Sequence, residues 1–144
     1  MPLKDIVRPK EELVTASRDT SCQDLAKLMN DRTVGSVVIE ENDEPIGIVT
    51  DRDICLNAVG AGKDPKTTPA SEVMNTDVFT CDADDGVFEL CQAMREHGVR
   101  RMPIVEDGKL SGIITLDDLV MLLEDEMHDL SEVIRSESPP YQPA

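Results

Sequence analysis

With 30 acidic against 14 basic side chains in 144 residues, the chain has a formal charge of −16 and offers no cationic footprint for duplex nucleic acid. No run approaches the ~20 apolar residues of a membrane span, and the N-terminus has no apolar signal segment, so a cytoplasmic protein without a membrane partner is expected. The acid is spread along the chain and aromatics are 2%, which suits either a halophilic cytosol, where salt screens self-repulsion, or an ordinary acidic protein.

Residues 3–7 have the pattern of a short lead-in helix and residues 13–15 that of a strand. Ser21, with Asp24 three positions on, opens a helix by a variant of the capping box. Its apolar face is Cys22, Leu25, Ala26 and Met29, spaced i, i+3, i+4, i+7. An apolar run at 37–39 and a polar turn at 41–44 lead to a third strand that ends in Gly47-Ile48-Val49-Thr50-Asp51-Arg52-Asp53. After a Gly- and Pro-rich linker at 60–69 the order repeats: a lead-in at 70–74, a strand at 78–80, then a helix face of Val87, Leu90, Cys91 and Met94. A strand at 102–105 follows, with a turn at 106–109 whose Asp107-Gly108 pair is a strong hairpin signal. The last strand ends in Gly112-Ile113-Ile114-Thr115-Leu116-Asp117-Asp118, 65 residues after the first such motif. The closing helix, from Asp117 to about Leu130, is longer than one unit needs, leaving Leu119, Met121, Leu122, Leu123, Met127 and Leu130 for the core or a dimer contact. The end, rich in Pro and Ser, has the composition of a disordered tail.

Each half is thus β-α-β-β-α, an α/β (α+β) layer with helices on one face of its sheet. A half of roughly 60 residues is marginal alone, so a shared interface is expected. The four cysteines (Cys22, Cys55, Cys81, Cys91) show no Cys-x-x-Cys spacing, and neither His97 nor His128 lies at ligand spacing from one, so the thiols read as structural and no metal site is expected. No nucleophile–base pattern and no Walker-type glycine loop occurs, which argues against an enzyme.

The Thr and Asp of each motif stand where a strand runs into a helix. They can simply cap that helix. They can also clamp a nucleoside: a carboxylate at a first helical turn accepts two hydrogen bonds from vicinal ribose hydroxyls, and the helix terminus favours phosphate. Two copies of this Gly-x-x-Thr-x-x-Asp frame, each between an apolar strand and an apolar helix, resemble a tandem pair of CBS domains, the regulatory module named after cystathionine β-synthase. The resemblance covers roughly residues 1–130 and places a first domain at 1–68, a second at 69–130 and a tail at 131–144. It implies packing about a pseudo-two-fold axis, with two composite clefts. Cleft A would draw on Ile48, Thr50, Arg52 and Asp53 with Val78, Phe79, Thr80, Arg100, Arg101, Met102 and Pro103. Cleft B would draw on Ile113, Thr115, Asp117 and Asp118 with Val14, Thr15, Gly35, Ser36 and Val37. In a chain without Trp, such a slot is expected to grip adenine by aliphatic contact.

At these positions cleft A gathers Arg52, Arg100 and Arg101, whereas cleft B has Asp117, Gly35 and Ser36, so the phosphorylated ligand is expected in cleft A. The resemblance implies a stand-alone regulatory module, with no required cofactor, for an adenosine-type ligand: AMP, ADP, ATP, NAD or S-adenosylmethionine. A homodimer signalling to an effector protein of unknown identity is expected. The alternative is a ligand-independent module for dimerisation or for docking on an enzyme or transporter.

Overall fold

Two β-hairpins organise the protein in a computed structural model that describes residues 1–137 and 143. In the first, β3 (Ser36–Glu41) turns into β4 (Glu44–Thr50) through Asn42 and Asp43, whose φ values of 53° and 64° are the left-handed pair a tight hairpin demands. In the second, β6 (Arg101–Glu106) turns into β7 (Lys109–Thr115) through Asp107 and Gly108 at 52° and 76°. The registers match across the repeat, Ser36 opposite Thr50 and Arg101 opposite Thr115, and each ladder slips once, after Ile39 and after Ile104.

Against each hairpin packs one amphipathic helix. For α1 (Cys22–Arg32) the Ser21 hydroxyl accepts a hydrogen bond from the Asp24 N–H at 3.1 Å, and Thr33 in the left-handed region ends it. For α4 (Val87–His97) Gly98 does the same at φ 63°. Cys22, Leu25 and Met29, and at the matching positions Leu90 and Met94, are buried. The fourth member of each expected face, Ala26 and Cys91, is exposed; Leu28 and Ala93, two positions on, turn inward instead.

The first strand of each unit differs from expectation. A parallel strand β2 (Thr15–Ala16) lies beside β3, where the Val38 N–H donates to the Val14 carbonyl at 3.1 Å. The counterpart of Val38 is Pro103, which has no N–H to give Phe79. Pairing therefore begins later, in β5 (Cys81–Asp82), and the expected strand at 78–80 is irregular chain.

The lead-in segments are exchanged between the halves. The 3-10 turn Leu3–Asp5 belongs to the second unit: the Leu3 N–H donates to the Asp85 carbonyl at 2.8 Å, and Leu3 is fully buried among Leu90, Met102 and Ile104. Strand β1 (Arg8–Pro9) then adds antiparallel to β7, giving the sheet order β1-β7-β6-β5 beside the smaller β2-β3-β4. In return α3 (Ala70–Val73) buries Ala70 and Val73 in the first core. A boundary at 68/69 therefore divides the sequence but not the cores. The exchange also accounts for the glycine of each motif. A Cβ at Gly112 would stand 2.0 Å from the Arg8 carbonyl oxygen, and one at Gly47 would stand 2.5 Å from the Met74 sulfur. Between the sheets, Leu13, Val38 and Leu110 form a third cluster, the shared interface the small halves require.

Each motif runs into its closing helix. Asp51–Asp53 is a short α-helical turn, α2, continuing into a π-helical segment Ile54–Val59 that buries Ile54 and Ala58. The second closing helix, α5 (Leu116–Glu137), has 22 residues and extends seven past Leu130. Residues 131–137, expected in the tail, are helical; 138–142 and 144 lie outside the described residues.

Candidate functional site

At each strand-to-helix junction the motif closes a capping box. The Asp53 N–H donates to the Thr50 hydroxyl at 3.1 Å while the Asp53 carboxylate accepts from the Thr50 N–H at 2.9 Å. Asp118 and Thr115 repeat this at 3.1 Å and 3.1 Å. Helix capping is thus real in both copies, but it uses only one oxygen of each carboxylate. What happens to the other oxygen separates the two clefts.

Cleft A has a volume of about 360 Å3. The first unit supplies Ser36, Ile48, Thr50 and Asp53; the second supplies Asn75, Asp77 and Phe79 from the chain after α3, His97 from the end of α4, and Val99, Arg100 and Arg101 from the run into β6. The second oxygen of Asp53 has no partner among the described residues, and its carboxylate faces this space. Phe79 stacks on His97 with ring centroids 3.6 Å apart and planes within 9°, so the wall is partly aromatic rather than purely aliphatic as expected.

Of the residues predicted for cleft A, Ile48, Thr50, Asp53, Phe79, Arg100 and Arg101 come together. Met102 and Pro103 are fully buried and do not line the cleft; alternation along β6 turns Met102 into the second core, away from Arg101. Val78 and Thr80 lie in the irregular segment without lining the cleft. Arg52 borders a separate hollow with Asp51, Cys55 and Leu56. Sequence reasoning missed Asn75, Asp77, His97 and Val99, and placed Ser36 only in cleft B. The missing signal is the crossing of α3 onto Gly47, which brings Asn75 to pair with Ile48 and so sets 75–79 along the cleft.

Cleft B is smaller, about 260 Å3. Val14, Gly35, Ser36, Ile113 and Thr115 line it as predicted, together with Arg8, Glu12, Leu13 and Arg101. Val37 is instead fully buried in the first core, and Thr15 is spent in β2. Asp117 is exposed and faces Arg100 at 3.5 Å, a surface pair of little energetic weight. The expectation that cleft B lacks a cation is overturned. Arg8, carried in by β1, reaches the Asp118 carboxylate through Nη2 at 2.6 Å and through Nε at 3.0 and 3.1 Å. Asp118 itself does not line cleft B as expected: it borders a separate hollow with Ile6, Arg8, Ile114 and Leu119, and both its oxygens are taken by Arg8 and Thr115. Arg101 lines both clefts, and of the three arginines expected to make cleft A basic it and Arg100 remain.

Burial pushes the Asp118 carboxyl up, but the hydrogen bonds from Arg8 and Thr115 outweigh it and hold the group below the usual carboxylate range. A carboxyl depressed on folding contributes stability that is fully present above its unfolded value, ~3.9, and is lost as pH falls through the lower folded one. Urea unfolding of the wild type and of Asp118→Asn should therefore give a stability gap at pH 7 that shrinks at pH 3. A gap independent of pH would show that the ion pair contributes nothing.

Cys22 and Cys81 are buried, and burial pushes both thiols up, away from reactivity. Among the described residues no three His, Cys, Asp or Glu side chains converge as metal ligands, and no helix is long and apolar enough to cross a membrane.

The family model described as "CBS domain" matches residues 3–60 and again 70–125, so both units fall under it. The chain belongs to the CBS-domain family. Among relatives of this CBS-domain protein, the uncharacterized protein MK0525 of Methanopyrus kandleri is 39% identical over 132 residues, covering 85% of this chain and 67% of that one. The CBS domain pair of protein MJ0100, solved with 5′-methylthioadenosine and S-adenosyl-L-methionine, superposes with a TM-score of 0.74 at 26% identity, covering 88% of this chain and 98% of the other. The CBS domain protein PAE2072 of Pyrobaculum aerophilum, solved with AMP, gives 0.73 at 26% identity, with 86% and 97% covered.

Proposed function

We propose that this protein is a regulatory module that binds an adenosine-containing ligand in cleft A, as a homodimer, and transmits the event to an effector protein. One observation carries the choice of cleft: among the described residues Asp53 keeps an unpaired carboxylate oxygen facing cleft A, whereas Arg8 occupies its counterpart Asp118. The volume of about 360 Å3 falls in the range of small-molecule sites. Thr50 and Asp53 meet the ribose, and the Phe79–His97 wall and Ile48 flank the base. Arg100 and Arg101 give the phosphate a cationic end, with guanidinium geometry suited to it. The related CBS pairs solved with AMP, and with methylthioadenosine and S-adenosylmethionine, support an adenosine ligand. AMP is the first candidate because of the arginines; ADP, ATP, NAD and S-adenosylmethionine share the adenosine group. The role is regulatory rather than catalytic.

The test is hydrogen exchange with and without AMP. Cleft A is composite, so AMP should slow exchange in both Thr50–Asp53 and residues 97–101, which belong to different units. At 100 times its dissociation constant, AMP adds about 2.7 kcal/mol of stability by mass action and raises the melting temperature by several degrees. No protection and no thermal shift with any of the five adenosine compounds sinks the ligand reading. The alternative, a ligand-independent assembly module, is favoured by one feature, the exposed apolar side of α5. It predicts that null result.

A further inference from the structure

The outer side of α5 carries Leu116, Val120, Leu123, Met127, Leu130 and Ile134, each between 40% and 64% exposed. Their spacing alternates four and three residues without a break. These six form a heptad seam; Met121 and Val133, also exposed, lie outside it. The core-facing job falls to other positions: Leu119, beside the seam, is buried and Leu122, farther round the helix, is half-buried. Beyond Leu122 every described residue of the helix except Ser131 is exposed, a projection of about 22 Å with nothing of its own chain against it. A helix that short is marginal in water unless a partner covers it. The family model stops at residue 125, so most of the projection lies beyond the matched domain.

We infer that α5 forms a parallel two-stranded coiled coil with the α5 of a second copy of this chain. The identities of the seam residues point to the partner. Positions Val120, Met127 and Ile134 alternate with Leu116, Leu123 and Leu130, so one class of site is leucine throughout and the other has β-branched residues at two of three. In a parallel arrangement that division favours two strands. The flanking charges fix the direction. In a parallel pair Glu126 flanks Ser131 of the other helix, and Glu124 flanks the position of Leu119, which is turned into its own core, so no acid faces an acid. An antiparallel pair in full overlap brings Glu124 and Glu126 close to the same residues of the other helix, which costs stability in a protein of charge −16. A two-fold axis along the seam closes the assembly at a dimer and leaves cleft A of each copy to its own chain.

This rests on the homodimer in the functional proposal, and light scattering separates the two. Wild type should have twice the monomer mass of 15.8 kDa, and Leu123→Glu combined with Leu130→Glu should be monomeric with an unchanged AMP titration. A doubly substituted protein that stays dimeric overturns the seam while the homodimer stands. A monomeric wild type overturns both. Orientation is read independently with Ile134→Cys in a Cys55→Ser, Cys91→Ser background. Mild oxidation should cross-link two copies through position 134 in the parallel pair. Absence of that cross-link in a protein shown to be dimeric overturns the parallel arrangement, and so does one that forms only when Leu116→Cys is mixed with Ile134→Cys.

Discussion

Replacing Asp53 by alanine should weaken AMP binding by about 10- to 150-fold, the loss of about 1.5–3 kcal/mol that attends removal of a charged hydrogen-bond partner. Calorimetry reads the effect directly. The substitution also removes half of a capping box, because the Asp53 carboxylate accepts from the Thr50 N–H at 2.9 Å, so a stability loss of about 1 kcal/mol should accompany it. Asp53→Asn separates the two consequences: its amide oxygen can still accept at the cap, but the charge that favours a ribose pair is gone. Melting should recover in the asparagine variant while affinity does not. Asp118→Ala should behave in the opposite way. Its carboxylate is already satisfied by Arg8 and Thr115, so the variant should lose stability yet leave AMP affinity within about twofold. Equal losses of affinity at Asp53 and Asp118 would mean that Arg8 yields its place to a ligand and that the clefts are equivalent. Arg101→Ala should weaken binding too, since this side chain borders cleft A.

How much of this was legible in the sequence depends on how local each determinant is. The hairpin turns were readable because Asp107-Gly108 and its partner turn at 41–44 carry their backbone preference within the turn itself. Helix starts were readable at Ser21 and at Thr50 and Thr115, where the cap is a contact three residues long. The clefts were legible only in part. Thr50, Asp53 and Arg101 are placed by their own strand or helix end, and the repeat identifies them. Arg8, Asn75 and Asp77 are placed by segments that cross to the other unit, and no periodicity within those segments announces the crossing. For that reason an arginine 110 positions away from Asp118 went unseen, and the predicted contrast between the clefts rested on the wrong residues. A contrast remains, but it lies in which carboxylate is free. The strand beginning at Cys81 rather than at 78 was legible in principle. Pro103 stands where the first unit has Val38, and a residue without an N–H cannot complete the pairing that Val38 makes with Val14.

Gly112→Ala should be among the most damaging single substitutions in the chain, destabilising it by about 2–4 kcal/mol. The added methyl would stand 2.0 Å from the Arg8 carbonyl oxygen and 2.6 Å from a Val7 methyl, and neither is the far end of a flexible side chain. Relief requires β1 to leave β7, which gives up the Arg8–Ile113 and Pro9–Gly112 pairing and draws the Arg8 guanidinium off Asp118. Overpacking alone costs about 1–3 kcal/mol, and the lost pairing adds to it. Gly47→Ala tests the same crossing in the other unit with a softer neighbour. There the close atoms belong to the Met74 side chain, the nearest at 2.5 Å, and an unbranched thioether can swing away. Its cost should therefore be the smaller. Thermal melting should show a drop of about 5–15 °C for Gly112→Ala, and hydrogen exchange should accelerate at Leu3–Asp5 and at Arg8 before the hairpin itself opens. The physical consequence reaches the clefts. With β1 detached, Asp118 recovers a free carboxylate oxygen and cleft B loses the Arg8 side chain that lines it. A melting temperature within about 2 °C of wild type would mean that the N-terminal crossing is not held against Gly112, and the account of Asp118 as held by Arg8 would fall with it.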